Sequence, residues 1–150
     1  MSRIAVFPGS FDPFTTGHKN IIDRALPLFD SIVIAIGVNA EKKTMFDLQS
    51  RLEGIRFVYE GQSKIKVVDY KGLTVDLCKQ TGASFIIRGI RNSMDLEYEK
   101  PIAVMNKKIG NGVETIFIVC DEEFSSVSST IVRDLYRNGL DISQFVPYNL

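Results

Sequence analysis

Arg3-Ile4-Ala5-Val6-Phe7-Pro8-Gly9, running on into Ser10-Phe11-Asp12-Pro13-Phe14-Thr15-Thr16-Gly17-His18, sets the plan of the chain. Arg3 to Phe7 reads as a short apolar strand that Pro8-Gly9 ends. From about Gly17 to Phe29, the apolar residues Ile21, Ile22, Ala25, Leu26 and Phe29 recur at helical spacing. Ser31 to Val38 is then β-branched and nearly continuous, as a strand buried on both faces requires. Strands joined through a helix cannot form a hairpin, so this pair is parallel.

The same alternation continues. Asp47 is placed to cap a helix reaching about Tyr59, with Leu48, Leu52, Ile55, Phe57 and Val58 inward. Ile65 to Asp69 forms a third strand. Thr74 to Thr81 forms a short helix that Gly82 stops. Phe85 to Ile87 is a fourth strand, and Ser93 to Ile109 a long helix that Pro101 is expected to kink or break. Thr115 to Val119 is a fifth strand. Ser128 or Ser129 caps a last helix to Asn138, with Gly139 behind it. The expected fold is α/β: one domain over residues 1–150, a doubly wound, five-stranded parallel sheet covered on both faces.

Composition narrows the function classes. Of 150 residues, 45% are hydrophobic and 24% charged, as in an ordinary globular protein. Lys plus Arg is 18 and Asp plus Glu is 18, which argues against nucleic-acid binding by bulk positive charge but leaves room for a local phosphate pocket. Cys78 and Cys120 lie in apolar runs and read as two reduced core thiols. No apolar stretch approaches the ~18 residues that span a bilayer, and the start is broken too early by Pro8-Gly9 for a signal peptide. A cytoplasmic protein without a membrane segment is expected.

Parallel sheets bind ligands beyond the carboxyl ends of their strands. The polar specialists of this chain follow strands: Gly9 to His18, Asn39 to Lys43, Lys71 to Thr74, Arg88 to Asn92, and Asp121 to Thr130. They carry cations, hydroxyls, glycines and the single histidine, a set suited to a phosphate-rich ligand. His18 falls in a helix's first turn, where free N–H groups and the dipole favour anions. It either caps that turn or donates to a phosphate. Gly9 and Gly17 remove side chains where backbone and ligand would meet. Ser10 offers its hydroxyl to a phosphate or to its own turn, and Asp12 can cap loop N–H groups ahead of Pro13. Lys42 and Lys43 are a basic step or a solvated loop. Arg88, at the end of a buried strand, needs an anionic partner, which either a carboxylate or a ligand phosphate supplies. Arg91 can clamp a second phosphate. Ser128-Ser129-Thr130 is a capping sequence whose N–H groups and hydroxyls also suit a triphosphate.

The chain lacks the phosphate-loop lysine motif, the dinucleotide glycine fingerprint, the Gly-x-Ser-x-Gly elbow and zinc-type Cys/His spacing. Donors and cations without a nucleophile fit transfer of a phosphorus group between two bound substrates.

Gly9-Ser10-Phe11-Asp12-Pro13-Phe14-Thr15-Thr16-Gly17-His18 resembles the Thr-x-Gly-His signature of the nucleotidyltransferase superfamily. Ser128-Ser129-Thr130-Ile131-Val132-Arg133 resembles its second signature. Ile87-Arg88-Gly89-Ile90-Arg91, followed by Asp95-Leu96-Glu97-Tyr98-Glu99, Ala103 and Asn106, is similar to the bacterial phosphopantetheine adenylyltransferase family. The likeness runs from residue 3 to about 147. It implies a Rossmann-like sheet of the nucleotidyltransferase type. It also implies transfer of an adenylyl group from ATP, with Mg2+, to 4′-phosphopantetheine, giving dephospho-coenzyme A and pyrophosphate without a covalent enzyme intermediate.

The resemblance also implies roles. Ser10 and Phe11 bind ATP phosphate, and Ser10 faces the acceptor phosphate as well. His18 stabilises the transition state at the α-phosphate. Lys42 and Arg88 hold the acceptor phosphate and assist charge neutralisation, with His18, Lys42, Arg88 and Arg91 as the catalytic set, and Thr74 lies along the pantetheine arm. Gly89, Ile90, Arg91 and Glu99 cradle the nucleotide. Phe124, Ser125, Ser126, Val127, Ser128, Ser129 and Thr130 close over adenine and triphosphate. A homohexamer built as a dimer of trimers, with feedback binding of coenzyme A, is implied too. Against this stand a nucleotidyltransferase acting on glycerol phosphate or nicotinate mononucleotide, a nucleotide-binding regulator without chemistry, and an α/β scaffold. The Arg88-to-Glu99 block disfavours the first, and the intact charge set of His18, Lys42, Arg88 and Arg91 disfavours the second. The third leaves the polar segments on one sheet edge to chance.

Overall fold

The computed structural model describes residues 2–150. The strands are β1 (Ile4–Gly9), β2 (Ser31–Gly37), β3 (Ile65–Tyr70), β4 (Phe85–Ile90) and β5 (Glu114–Val119). The helices are α1 (Thr16–Ala25), α2 (Leu48–Val58), α3 (Thr74–Thr81), α4 (Ser93–Ile109) and α5 (Ser129–Arg137). All strand pairs are parallel, in the order β3-β2-β1-β4-β5. The expected doubly wound α/β sheet is therefore present, and its order reverses at β1.

Side-chain alternation explains the two layers. Ala5, Phe7, Ile32, Ile34 and Ile36 face one side, against Ile21, Ile22 and Ala25 of α1 and Leu52 and Ile55 of α2. Val6, Val33, Ala35 and Ile86 face the other, against Leu77 and Cys78 of α3. The edge strands differ: β3 exposes Lys66 and Asp69, and β5 exposes Glu114 and Val119.

Pairing between β1 and β4 is short. It registers only Ala5 with Phe85 and Val6 with Ile86, whereas β1 and β2 pair from Ile4–Ser31 to Gly9–Ile36. The carboxyl halves of β1 and β4 part, and a crevice opens between them at the reversal point.

Several expectations need correction. β4 continues to Ile90, so Arg88, Gly89 and Ile90 belong to the strand rather than to the loop after it. The first helix ends at Ala25, and a 3-10 turn over Leu26–Leu28 takes up Pro27. Phe57 is 63% exposed instead of inward, because at 100° per residue it lies opposite the stripe of Leu52, Ile55 and Tyr59. α4 runs unbroken through Pro101. The carbonyl freed by proline's missing N–H is that of Glu97, an exposed residue that water can reach. Cys78 is a buried core thiol as expected, but Cys120 is only half-buried and borders the crevice. Among the described residues, no helix is long and apolar enough to cross a membrane.

The chain's end returns to α2. Gly54 has no side chain where the Tyr148 ring lies, and a Cβ there would overlap that ring. Gly54→Ala gains about 1 kcal/mol of helix propensity but unseats an aromatic worth about 2–3 kcal/mol. A net loss of about 1–2 kcal/mol is expected in urea unfolding. Unchanged or raised stability would show that Tyr148 contributes nothing there.

Candidate active site

Two clefts meet at the crevice. The first, of about 310 Å³, lies above β1, β4 and the amino ends of α1 and α5. The second, of about 410 Å³, lies on the side of β2, α3 and α4. Pro8, Gly9, Ser10, Arg88 and Glu99 line both and form the partition between them.

Most of the expected site residues gather here. Phe11, His18, Gly89, Arg91, Phe124, Val127, Ser128, Ser129 and Thr130 line the first cleft, and Lys42 and Thr74 the second. Ile90, Ser125 and Ser126 line neither. Ile90 is buried, and its carbonyl accepts the Cys120 N–H at 2.9 Å.

His18 serves as cap and leaves a donor free. Thr15 is the N-cap of α1, and its hydroxyl accepts the His18 N–H at 3.3 Å. In return Nδ1 of His18 accepts the Thr15 N–H at 2.9 Å. A backbone N–H can only donate, so Nδ1 is the unprotonated nitrogen and Nε2 carries the hydrogen. The ring stacks on Phe14 at 5.3 Å and meets the edge of Phe11 at 5.0 Å. Burial against these rings, then the charges of Arg88 and Arg91, lower its pKa to about 3. The imidazole is a neutral Nε2–H donor at every pH near neutrality.

Arg88 is held on three sides. Nη1 donates to the Pro8 carbonyl at 2.7 Å. Nε and Nη2 donate to the two carboxylate oxygens of Glu99 at 3.0 and 2.5 Å. Glu99 is the one buried residue of α4. The carboxylate partner left open by the sequence is therefore present, and the remaining guanidinium hydrogens are free for a ligand. Arg91 pairs with Asp95 at 3.1 Å. Lys42 Nζ donates to Ser10 Oγ at 3.0 Å across the second cleft.

The helix starts are also placed. Ser128 is the N-cap of α5, accepting the Ile131 N–H at 3.2 Å. Ser129 donates to the Pro13 carbonyl at 2.8 Å. The amino ends of α1 and α5 thus border one cleft, and their dipoles favour anions there. Gly17 packs closely here, since an added Cβ would sit 3.4 Å from the Val127 carbonyl, in ordinary contact. At Gly9 the close neighbour is the Phe11 ring, 2.9 Å from a built Cβ, so that glycine accommodates a side chain rather than a ligand.

Sequence reasoning missed Arg133 on the wall and Arg51 beneath it, and left the partners of Asp12 unnamed. Arg133 borders the first cleft and donates to the Asp12 carbonyl at 2.9 Å; its signal was its place in the second signature. Asp12 does cap loop N–H groups, but those of Met45 and Phe46, both at 2.9 Å, and nothing local in sequence points to them. Arg51, 5% exposed, lies on the same helix stripe as Leu48, Leu52 and Ile55. A charge at a core position of an amphipathic pattern was the signal.

The histidine chemistry is testable because the chain has one histidine. With a folded pKa near 3 against an ordinary 6.5, the unfolded chain binds the proton more readily between those values. The stability contribution is complete above pH 6.5 and is lost as pH falls toward 3. Ring nitrogen and carbon-bound proton shifts should show the Nε2–H tautomer and no titration from about pH 8 to about pH 5. A midpoint near the ordinary value would refute the caged, neutral ring.

Residues 6–135 match the family model described as Cytidylyltransferase-like. A phosphopantetheine adenylyltransferase of Flavobacterium psychrophilum is 53% identical over 145 residues, covering 97% of this chain and 95% of its own length. One from Leptospira biflexa is 48% identical over 147 residues, covering 98% and 92%. One from Cytophaga hutchinsonii is 43% identical over 150 residues, covering the whole of both. Among solved structures, a bifunctional NMN adenylyltransferase/ADP ribose pyrophosphatase from Francisella tularensis superposes with a TM-score of 0.74 at 18% identity, over 100% of this chain and 46% of that one. A putative nicotinate-nucleotide adenylyltransferase from Vibrio parahaemolyticus gives 0.66 at 21%, over 97% and 94%. At those identities the structures speak for the fold alone. The near-full-length sequence matches go further, and the chain belongs to the cytidylyltransferase-like nucleotidyltransferases and, within them, to the phosphopantetheine adenylyltransferase family.

Proposed function

We propose that the chain, acting as a single catalytic domain, transfers the adenylyl group of ATP reversibly to 4′-phosphopantetheine, giving dephospho-coenzyme A and pyrophosphate. The observation that carries the site assignment is the pair of clefts sharing one partition that offers the Ser10 hydroxyl and the Arg88 guanidinium, with His18 on one side and Lys42 on the other. A group transferred between two substrates must pass such a partition.

ATP occupies the first cleft, with its phosphates toward the amino ends of α1 and α5, and Arg91, Gly89 and Phe124 to Thr130 around it. The acceptor phosphate sits at Lys42, Ser10 and Arg88, with the pantetheine arm running past Thr74. An acceptor phosphate oxygen attacks the α-phosphorus in line. The new P–O bond forms as the bond to the β-phosphate bridging oxygen breaks, and pyrophosphate leaves with that electron pair. His18 Nε2–H donates to an α-phosphate oxygen as charge builds there. Being neutral, it stabilises that charge without surrendering a proton. Glu99 acts through Arg88, fixing the guanidinium.

Magnesium enters with ATP. The acidic residues bordering the first cleft are engaged: Asp12 by Met45 and Phe46, Asp95 by Arg91, Glu99 by Arg88. Among the described residues, no group of three or more His, Cys, Asp or Glu is placed for a metal. The triphosphate oxygens and water would hold the ion, as they often hold magnesium.

The family resemblance implies a dimer of trimers; α4, which exposes Met94, Tyr98, Val104, Met105 and Ile109 and buries only Glu99, supports burial of that face against another copy and says nothing of the symmetry. Coenzyme A, which unites a nucleotide and a pantetheine arm, would fill both clefts and so feed back on the enzyme. A cytoplasmic setting follows from the pathway and the free thiols.

Pyrophosphate release from Mg-ATP, run in parallel with 4′-phosphopantetheine, glycerol 3-phosphate and nicotinate mononucleotide, tests the reading. Release with the first alone, with dephospho-coenzyme A by mass, is expected; release with another acceptor overturns it. His18→Ala should lower turnover by about two powers of ten or more with folding intact, the loss of about 3–4 kcal/mol of transition-state stabilisation. Near-wild-type turnover would remove His18 from the chemistry.

Arg88→Ala leaves Glu99 without its partner, so the informative comparison includes Arg88→Ala/Glu99→Gln. Both are expected to raise KM for 4′-phosphopantetheine by roughly 10–100-fold, the worth of a charged hydrogen bond of about 1.5–3 kcal/mol. An unchanged KM for that substrate would break the assignment.

A further inference from the structure

Arg51 is a buried cation to which the reaction above gives no role. It lies in the first turn of α2, and no carboxylate pairs with it among the described residues. Its guanidinium bonds only to oxygens of two loops. Nη1 donates to the Ser10 carbonyl at 2.7 Å, and Nε to the Phe46 carbonyl at 3.0 Å. Weaker contacts, each at 3.4 Å, reach the Asp47 carbonyl and the Thr44 hydroxyl.

Asp12 makes the converse connection. It is 4% exposed and sits on the loop after β1, yet its carboxylate takes the N–H groups of Met45 and Phe46 on the loop after β2. Burying two charges that do not pair with each other is costly, and an apolar pair would serve the core better. What the two charges achieve together is to lock one loop against the other. The first loop carries Ser10. The second carries Lys42, in an exposed stretch, Asn39–Lys43, with no strand or helix of its own. The Ser10 hydroxyl and the Lys42 ammonium meet above this lock.

We propose that Arg51 is a positioning residue for the acceptor phosphate. By tying the Ser10 carbonyl to the foot of the Lys42 loop, it sets the spacing of the hydroxyl and the ammonium that receive that phosphate. The inference rests on the function proposed above and adds to it a residue that never touches substrate. His18 is held instead by Thr15, so the donor to the α-phosphate does not hang on this lock, whereas Ser10 lines both clefts.

The test uses Arg51→Met and Arg51→Lys, each alone and combined with Lys42→Ala, with the wild type alongside. KM for 4′-phosphopantetheine should rise about tenfold or more in Arg51→Met while KM for ATP rises several-fold less, since small misplacements of binding groups cost this much. Arg51→Lys, which keeps the charge and a single donor, should recover part of the loss. In the Lys42→Ala background, Arg51→Met should add little, because both changes remove the same placed ammonium. Equal rises in both KM values, or the same fold-loss with and without Lys42, would overturn the proposal. Should Arg51→Met fail to fold, Arg51→Lys carries the same readouts. Calorimetric binding of 4′-phosphopantetheine alone separates the two readings. If the wild type binds it without turnover, the proposed reaction falls, and the lock stands or falls on whether Arg51→Lys weakens that binding. No binding by the wild type overturns both.

Discussion

The bond from Arg88 to the Pro8 carbonyl bridges the place where the sheet opens. β1 and β4 pair only through Ala5–Phe85 and Val6–Ile86 and then separate, because the strand order reverses at β1 and successive crossovers leave on opposite faces. Pro8 has no N–H to give and, on the β4 side, a carbonyl that needs a partner. Arg88 supplies it, and Glu99 on α4 fixes the far side of the guanidinium. The same group thus satisfies the opened backbone and holds α4 to the sheet. It also leaves cationic hydrogens between the two clefts. Without the opening there is no crevice; without Arg88 the opening leaves a buried carbonyl and a buried carboxylate unpaired.

The chain has no net charge, yet the crevice is suited to anions. The difference lies in how its acids are used. Asp12 is bound by two backbone N–H groups, Asp95 by Arg91 and Glu99 by Arg88, so no carboxylate faces the clefts uncommitted among these three. Each of the two arginines retains donors beyond those its carboxylate uses. Two helix amino ends add oriented N–H groups without adding a side-chain charge. Composition reports the total and not this distribution, which is why balanced counts of acid and base were compatible with a site for two phosphorylated substrates.

The order and type of every strand and α-helix were legible, because hydrophobic period and punctuation agree along the chain: Asp47, Gly82 and Ser128 stand where the helix ends require them. The convergence of polar segments on one sheet edge followed from parallel topology alone. What was not legible depends on contacts distant in sequence. The extent of β4 beyond Ile87 is set by pairing with β5, so Arg88 read as a loop residue. Asp12 meets Met45 and Phe46, and Arg51 meets Ser10, over separations that periodicity cannot see. Phe57 was misplaced by treating an apolar residue as inward without following the helical angle. The Phe124-to-Thr130 segment reads as one closing strip, but Ser125 and Ser126 do not line the cleft that their neighbours line.

Phe11 shows how far the support of one polar atom extends. Its backbone is left-handed at φ 49°, a conformation that costs a non-glycine residue about 1–2 kcal/mol. That turn sends the ring inward over Gly9, where a side chain would collide with it, and against the edge of His18. Phe14 closes the flat face of the imidazole and Phe7 a second edge at 6.3 Å. These rings, more than any charge, hold the imidazole neutral, and Thr15 then selects which nitrogen bears the hydrogen. A neutral, oriented N–H gains most as negative charge accumulates on the oxygen it faces. The apolar residues of the loop after β1 therefore support the proposed chemistry alongside its hydroxyl and its glycines, and the left-handed turn at Phe11 is what brings its ring against His18.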